Sequence, residues 1–332
     1  MAEESAGNRF EDRDAEHERH RARCARHRSI PLHAALEVES RPAAPQPPPR
    51  SHADDAKEET NKPKLDPLEE NKAREEESLD QKITYDVIRR EGDKELERPL
   101  SGLWWAAVAG GLSMGFSFVT EALLRSHLPD AEWRPLVTKL GYPVGFLIIT
   151  LGSQQLFTEN TITPIVPLLV SYTTQKLKKL LALQGVALLG NLFGALLFAA
   201  ALAFTDVFDP KTRETFAAIG EEALRNGFLT TLASGIFAGW LIALMVWMLP
   251  ASAGSQVSVI VVMTYLVGIG GFAHVVVGSI ETLYLVLTGR IAMAMYLSRF
   301  FAPALIGNVI GGFVLVTWLN HAQVTSGNGH RK

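Results

Sequence analysis

The stretch GFAHVVVGSIE, residues 271–281, places a histidine, a glutamate and two glycines inside a long apolar region. An imidazole titrates near physiological pH, so His274 could attract an anion or transfer a proton to it. Glu281 adds a carboxyl group, and ionisable residues at membrane depth are costly and therefore point to function. These residue types predict a polar point on a path for a small solute. The alternatives are a neutral His274 bonded to a backbone carbonyl and a structural Glu281 at a helix end or subunit contact.

The elements that would hold these residues are apolar segments of membrane-spanning length. About 20 mainly apolar residues cross a hydrocarbon core, and six segments meet this requirement. They lie at residues 102–124, 136–157, 181–204, 228–250, 257–288 and 301–319. They are apolar nearly all round, whereas the helices of a soluble protein carry a polar face. The sequence therefore predicts an all-α polytopic membrane protein surrounded by a lipid bilayer.

The chain joins two regions of different composition, which the averages of 47% hydrophobic residues and a net charge of -3 conceal. Residues 1–98 are rich in charge and proline and have little to bury, so they are predicted to be a disordered cytoplasmic tail. Within them, residues 81–97 could form a short amphipathic helix, with Gly92 as its weak point. Residues 99–320 are predicted to be a six-helix transmembrane pore domain, and residues 321–332 a short cytoplasmic C-terminal tail.

Several classes of chemistry find no support in the residues. The one cysteine, Cys24, excludes an internal disulfide framework and a cysteine metal site. The apolar segments contain no Ser/His pair, paired aspartates or His-Glu-x-x-His pattern, so we expect no enzyme and no bound metal or cofactor. Arginines near the N-terminus alternate with Glu and Asp, which argues against a nucleic-acid partner. A small excess of Lys and Arg on one side favours cytoplasmic termini.

Three short motifs recur in the same order along the apolar region. Gly-Phe, five residues and Gly-Ser begin at Gly145 and again at Gly271, an offset of 271 − 145 = 126. The other pairs are AGGLSMG from Ala109 with ASGIFAG from Ala233, offset 124, and GNLFG from Gly190 with GNVIG from Gly307, offset 117. Their order predicts a duplicated three-helix unit, and an odd number of crossings inverts the second copy.

The same alignment predicts that the second and fifth helices are broken. Pro143 and Gly145 mark the first break, and VGIGGF, residues 267–272, marks the second, because proline and glycine destabilise helix interiors. Broken helix ends expose N–H groups and positive dipole ends, which suit small anions. In this register His274 lies opposite Ile148 and Glu281 lies opposite Gln155, so only one arm carries the histidine.

Four motifs at these places resemble those of the formate/nitrite transporter family. They are GYPVGFLIITLGSQQLFTENT at 141–161, GWLIALMVWM at 239–248, GFAH at 271–274 and GNVIGG at 307–312. The resemblance extends over about residues 100–320 and leaves out the N-terminal tail. It implies an aquaporin-like architecture of two inverted three-helix repeats, with a pore in each subunit of a homopentamer. It further implies a bacterial inner membrane as the location and formate, nitrite, acetate or a similar anion or weak acid as the solute.

The resemblance also implies roles for individual residues. His274 would be the central polar residue of the pore, and Thr158 the hydroxyl near it. The hydrophobic constrictions would contain Tyr142, Phe146 and Val267, and the broken helices would contain Gly145 and Gly271. Three positions depart from the family pattern, because Ala273 replaces a frequent glutamate and Gly278 and Gly239 replace frequent asparagines.

These roles suggest a mechanism in which a charged anion does not cross as such. A hydrophobic constriction excludes a hydrated anion because dehydrating a charge is expensive, whereas the conjugate acid can cross as a neutral molecule. His274 would aid protonation or attract the anion. One alternative is a channel for neutral solutes such as water or glycerol, although the paired Asn-Pro-Ala signatures of aquaporins are absent. Another is a transport-silent membrane scaffold or sensor whose tail performs the function.

Overall fold

The computed structural model describes residues 67–252 and 254–326, and within these ranges the regular structure is helical throughout. Short 3-10 turns flank some of the helices, and the last helix contains two π-helical segments. The helices are α1 (Pro67–Glu97), α2 (Leu100–His127), α3 (Arg134–Thr138), α4 (Pro143–Leu151), α5 (Val166–Val170), α6 (Thr174–Phe204), α7 (Pro210–Ala223), α8 (Phe228–Met248), α9 (Gln256–Ile269), α10 (Val275–Leu287) and α11 (Met293–Val324).

Four of the described helices, α2, α6, α8 and α11, are long and apolar enough to cross a membrane by length and composition. Two further crossings are split. Residues 270–274 separate α9 from α10, and residues 152–165 separate α4 from α5. The predicted all-α membrane fold with broken second and fifth helices is confirmed. The first break lies later than predicted, because Pro143 begins α4 at a position where proline fits a helix.

Glycines allow the long helices to pack closely in two equivalent pairs. A Cβ on Gly194 of α6 would overlap the carbonyl oxygen of Val108 in α2, and one on Gly311 of α11 would overlap that of Ile236 in α8. The glycines are 117 residues apart and their partners 128 apart. The structure therefore confirms the predicted offset for the third helices. It corrects the offset for the first helices from 124 to 128.

Helix α1 corrects the predicted disordered tail over residues 67–97, whereas residues 1–66 lie outside the described residues. Tyr85 and Ile88 of α1 are buried, and the Tyr85 hydroxyl lies 2.5 Å from Nδ1 of His321. Apolar residues on one face of α1 therefore provide the burial that a disordered tail lacks.

Candidate transport pathway

The two broken crossings end with the same backbone conformation. Ser153, after α4, has φ 51°, and Gly271, after α9, has φ 59°. Each follows a glycine, Gly152 or Gly270, that caps the preceding helix. Glycine adopts this left-handed conformation freely, whereas a serine is strained in it by roughly 1 kcal/mol. Ser153 and Gly271 are therefore structural counterparts, 118 residues apart.

This correspondence shows that the sequence alignment of the middle helices was wrong by eight residues. Gly145 was expected opposite Gly271, but it lies within α4, where its N–H donates to Oγ of Ser117 at 2.9 Å. A Cβ at Gly145 would lie 2.6 Å from that hydroxyl oxygen. Gly145 thus permits close packing of α4 on α2, while Ser153 occupies the break.

The corrected register gives the two ionisable residues new counterparts. His274 lies opposite Leu156 rather than Ile148, and Glu281 lies opposite Thr163, since 118 residues separate the members of each new pair. The predicted asymmetry of the two arms therefore persists, with different partners.

Asn191 of α6 holds the first break together through three hydrogen bonds. Its Oδ1 accepts from the N–H of Phe157 at 2.8 Å, and its Nδ2 donates to the carbonyls of Gln155 at 2.8 Å and Ala107 at 2.7 Å. A backbone outside a helix must find such partners when water is excluded. The asparagine thus stabilises the irregular segment from a neighbouring helix.

Asn308 of α11 does the same for the second break. Its Oδ1 accepts from the N–H of Val275 at 2.9 Å, and its Nδ2 donates to the carbonyls of Ala273 at 2.8 Å and Gly235 at 2.9 Å. The matching bonds of Asn191 and Asn308 are independent support for the repeat. Both residues lie in the GNLFG and GNVIG motifs. The recurrence of these motifs predicted the repeat, but it did not predict the hydrogen bonds of the asparagines.

His274 directly precedes α10 and contacts both arms of the pathway. Its Nδ1 accepts from the N–H of Val277 at 3.4 Å, and its Nε2 lies 2.8 Å from Oγ1 of Thr158. Because Nδ1 acts as an acceptor, a neutral ring carries its hydrogen on Nε2 and donates it to Thr158. The hydroxyl hydrogen of Thr158 is then available to another acceptor.

Apolar side chains pack beside this pair. The Phe146 ring meets the His274 ring edge-on, with centroids 5.1 Å apart, and stacks on Tyr142 at 5.6 Å. Phe146, Ile149 and Leu156 are completely buried. The structure thus places Phe146 beside the histidine, together with two apolar residues, Ile149 and Leu156, that the sequence motifs did not single out.

A cavity of about 180 Å³ begins at His274 and is here called the His274 cavity. Among the residues that line it are Lys139, Tyr142, Thr231, Val267, His274 and Glu281. Two predicted constriction residues, Tyr142 and Val267, therefore form its wall. The hydroxyl oxygen of Thr231 is buried and has no hydrogen-bond partner among the described residues.

Charged residues surround the far end of the His274 cavity. Glu281 lies within electrostatic range of Glu121, Lys139 and Glu222. Lys139 forms an ion pair with Glu121, and Arg125 forms one with Glu222 at 2.7 Å. Glu281 makes no hydrogen bond or ion pair with any residue that the structure describes. Its carboxyl group is thus the one in this group that faces the cavity without a direct partner.

A second cavity, of about 370 Å³, is here called the Glu159 cavity. Oε1 of Glu159 accepts from the Thr150 hydroxyl at 3.0 Å. Gln155 donates to Glu95 of α1 at 2.9 Å on another side of the same cavity. The two cavities share no lining residue. Thr158, next to Glu159 in the chain, contacts His274, which lines the other cavity, so this pair lies between the two cavities.

Two of the departures from the family pattern have a steric reason. A Cβ on Gly278 would overlap the ring of Phe300, and one on Gly239 would overlap the backbone of Asn308. An asparagine at either place would collide with these neighbours. Packing therefore requires glycine at both positions, and Glu281, two helical turns from His274, is a carboxyl group that lines the same cavity.

The match to known proteins agrees with this geometry. The sequence model described as "Formate/nitrite transporter" matches residues 82–322, which is well over half of the chain. The chain belongs to the formate/nitrite transporter family. The match begins inside α1, so the family region includes the end of the segment that the sequence analysis assigned to the tail.

Relatives within the formate/nitrite transporter family cover most of the chain. The inner membrane protein YfdC of Escherichia coli (strain K12) is 38% identical over 75% of this chain and 80% of its own length. The formate channel BtFdhC of Bacillus thuringiensis is 26% identical over 68% of this chain and 88% of its own length. A solved pentameric formate channel with formate bound has a TM-score of 0.57 at 20% identity, over 67% of this chain and 98% of that one.

Proposed function

We propose that this chain carries small monovalent anions across the membrane as their conjugate weak acids, with formate as the first candidate and nitrite and acetate as others. The observation that carries the proposal is the contact between His274 and Thr158 at a closed apolar barrier between two cavities. An apolar barrier of this kind excludes a hydrated anion and admits a small neutral acid. The formate channels among its relatives support the choice of formate.

His274 and Thr158 have complementary parts in this proposal. The neutral ring donates its Nε2 hydrogen to Thr158, which leaves the Thr158 hydroxyl hydrogen available to a carboxylate-type oxygen at the barrier. The start of α10 adds the positive end of its dipole at the same place, which favours negative charge. His274 thus attracts the anion to the barrier, which the conjugate acid of the anion then crosses.

We further propose that the functional unit is a homopentamer with one pathway in each protomer. The pentameric formate channel of the same fold supports this assembly. The inner-membrane location of the Escherichia coli relative supports a bacterial plasma membrane. An even number of crossings returns a chain to its starting side, so six crossings support termini on one side, and the excess of Lys and Arg favours the cytoplasmic side.

The substitution His274→Phe tests the proposal in proteoliposomes that contain the full-length chain. Phenylalanine keeps an aromatic ring in the Phe146 contact but removes the donor and the cap of α10. We expect uptake of radiolabelled formate to fall about 10²-fold, the effect of losing one well-placed donor.

His127→Phe is the matched control, because His127 lies at the end of α2 and bonds to the carbonyl of Leu123 outside the pathway. It should leave uptake at the level of the unmodified protein. Formate uptake by His274→Phe equal to that of the control would contradict the role proposed for His274.

A further inference from the structure

The His274 cavity contains a carboxyl group that the roles of His274 and Thr158 leave unused. Glu281 follows His274 by seven residues on α10, which is two helical turns and about 10 Å along the axis. Residues 274, 277, 278 and 281 all line the cavity, so they form one face of the helix. A solute that enters the cavity therefore passes Glu281 on its way to His274.

His274 itself is poorly arranged as the proton donor. Its Nδ1 accepts from the backbone of α10, and a hydrogen on that nitrogen would face the N–H of Val277. A charged ring would also sit at the positive end of the α10 dipole, which disfavours a cation. The ring can donate a hydrogen bond from Nε2, but another group is needed to exchange the proton.

The Glu159 cavity also has a carboxyl group in its wall, near the position that corresponds to Glu281. In the corrected register Glu159 corresponds to Val277 and Thr163 corresponds to Glu281, since each pair is 118 residues apart. Both members of each pair line a cavity. Each arm thus presents one carboxyl group to its own cavity, at positions four residues apart in the repeat register, and the two groups lie on opposite sides of the His274–Thr158 barrier.

Each cavity also offers a polar atom that lacks a protein partner. In the His274 cavity this is Oγ1 of Thr231, and in the Glu159 cavity it is Oε1 of Gln154; both atoms are buried and unpaired among the described residues. Buried polar groups without a partner are uncommon in native proteins. They are suited to a small polar molecule that occupies the cavities during transport.

We propose that Glu281 and Glu159 are the proton-exchange groups of the pathway, one on each side of the barrier; this rests on the proposed transport of weak acids. In the His274 cavity, the O–H bond of protonated Glu281 breaks and a new O–H bond forms on the anion. The neutral acid passes the barrier, and ionised Glu159 takes its proton in the other cavity. Glu281 then takes a proton from the water on its side, and Glu159 releases its proton to the water on the other side. One proton therefore moves with each anion.

Charge complementarity favours this order of events. An ionised Glu281 repels an anion, whereas a protonated Glu281 donates a hydrogen bond to it, so entry selects the protonated form. The charged groups around Glu281 are Glu121 and Lys139, which are paired, and Glu222, which is paired with Arg125. His274 and Tyr142 are the other titratable groups in the cavity wall.

Within the described residues, no charged side chain forms a hydrogen bond or an ion pair with Glu159. Its one side-chain hydrogen bond in the described structure comes from Thr150. Glu91 and Glu95 of α1, and Arg98 directly after it, line the same cavity, and Arg98 pairs with Glu95 at 3.1 Å. Glu159 is thus the carboxyl group of this cavity that adjoins the barrier.

The experiment compares formate with formamide, a neutral molecule of similar size, in proteoliposomes of the full-length chain. Formamide needs no proton exchange, so its flux reports whether the pathway is folded and still lets a small neutral molecule cross the barrier. With a luminal pH dye, the unmodified protein should take up about one proton per formate. Glu281→Gln and Glu159→Gln should each lower formate uptake about 10²-fold, the scale of general acid–base assistance, and leave formamide flux unchanged.

Two further variants serve as controls. Glu132→Gln, at an exposed position outside both cavities, should change neither flux. Glu281→Asp retains a carboxyl group and should restore much of the formate uptake that Glu281→Gln loses. Formate uptake by Glu281→Gln equal to that of Glu132→Gln would overturn the inference, and so would a parallel loss of formamide, which would make Glu281 a structural residue. An unmodified protein that passes formamide but no weak acid would instead refute the proposed function.

Discussion

Asn191 and Asn308 carry out the most demanding structural task of any single residues in this fold. A broken helix inside a membrane leaves N–H and carbonyl groups that neither water nor a helix can satisfy. Each asparagine supplies one acceptor and two donor bonds to such groups. An amide side chain can do this because it carries both kinds of group at one end.

The substitution Asn308→Ala should therefore destabilise the protein markedly. It would leave the N–H of Val275 and the carbonyls of Ala273 and Gly235 without their side-chain partner. At about 1–3 kcal/mol for an unsatisfied buried group, we expect a loss of about 2–4 kcal/mol in the free energy of unfolding. Thermal unfolding of the purified protein in detergent measures it.

Asn320→Ala is the matched control, because within the described residues Asn320 donates only to the carbonyl of Val316 in its own helix. Its effect should be well under half of that of Asn308→Ala. Equal shifts in the unfolding temperature for the two variants would mean that Asn308 does not hold the break.

Among the helices, α1 is the one that the sequence patterns predicted least well. Its charges favour solvent, yet its backbone at Gly92 packs so closely on residues 163–167 that a Cβ would overlap the carbonyl oxygen of Thr163. Glycine in a helix interior costs stability, so the close approach explains why it is tolerated. The missing side chain that makes Gly92 a weak point of the helix is thus what allows this close contact.

Gly92→Ala should loosen this contact and destabilise the protein by about 1–3 kcal/mol, the usual cost of overpacking. Faster tryptic cleavage at Arg89 and Arg90, together with a lower unfolding temperature, would report it. Gly102→Ala is the control, because a Cβ at Gly102 in α2 meets nothing within 4 Å. Alanine is the better helix former, so this control should stabilise the protein slightly. Similar effects of both substitutions would argue against tight docking of α1.

The membrane region is a duplicated three-helix unit, and the parity of its crossings determines which ends share a side of the membrane. Three crossings place the segment between α6 and α7 opposite the N-terminus, and six return the chain to it. Cys24 is the one cysteine in the chain, which makes this arrangement accessible to labelling with a membrane-impermeant maleimide.

In intact bacterial cells, we expect Cys24 to react only after the membrane is permeabilised. In a Cys24→Ser background, Ser326→Cys should behave in the same way, whereas Val207→Cys should react in intact cells. Val207 is 76% exposed in the segment between α6 and α7. Labelling of Val207→Cys and Ser326→Cys on the same side would contradict the six-crossing topology.

The crossings could be predicted from the sequence because apolar length is a local property that a bilayer demands of every span. The second break could be predicted because Gly270 and Gly271 are adjacent and disrupt a helix wherever they lie. The first break could not be predicted, since Ser153 adopts the same conformation without a glycine. The motif at Gly145 matched the motif at Gly271 by residue type, although its glycine serves helix packing.

The roles of His274 and Thr158 stay predictions, yet their proximity illustrates the division between sequence and structure. Residue types alone determined that an all-α chain of this hydropathy spans a membrane and carries an ionisable ring at depth. Tertiary structure decided that Thr158 meets this ring, that Asn308 holds its backbone, and that Glu281 shares its cavity. The reason is physical: hydrophobic burial acts on each segment separately, whereas hydrogen bonds and cavities require residues over 100 positions apart to meet at fixed distances.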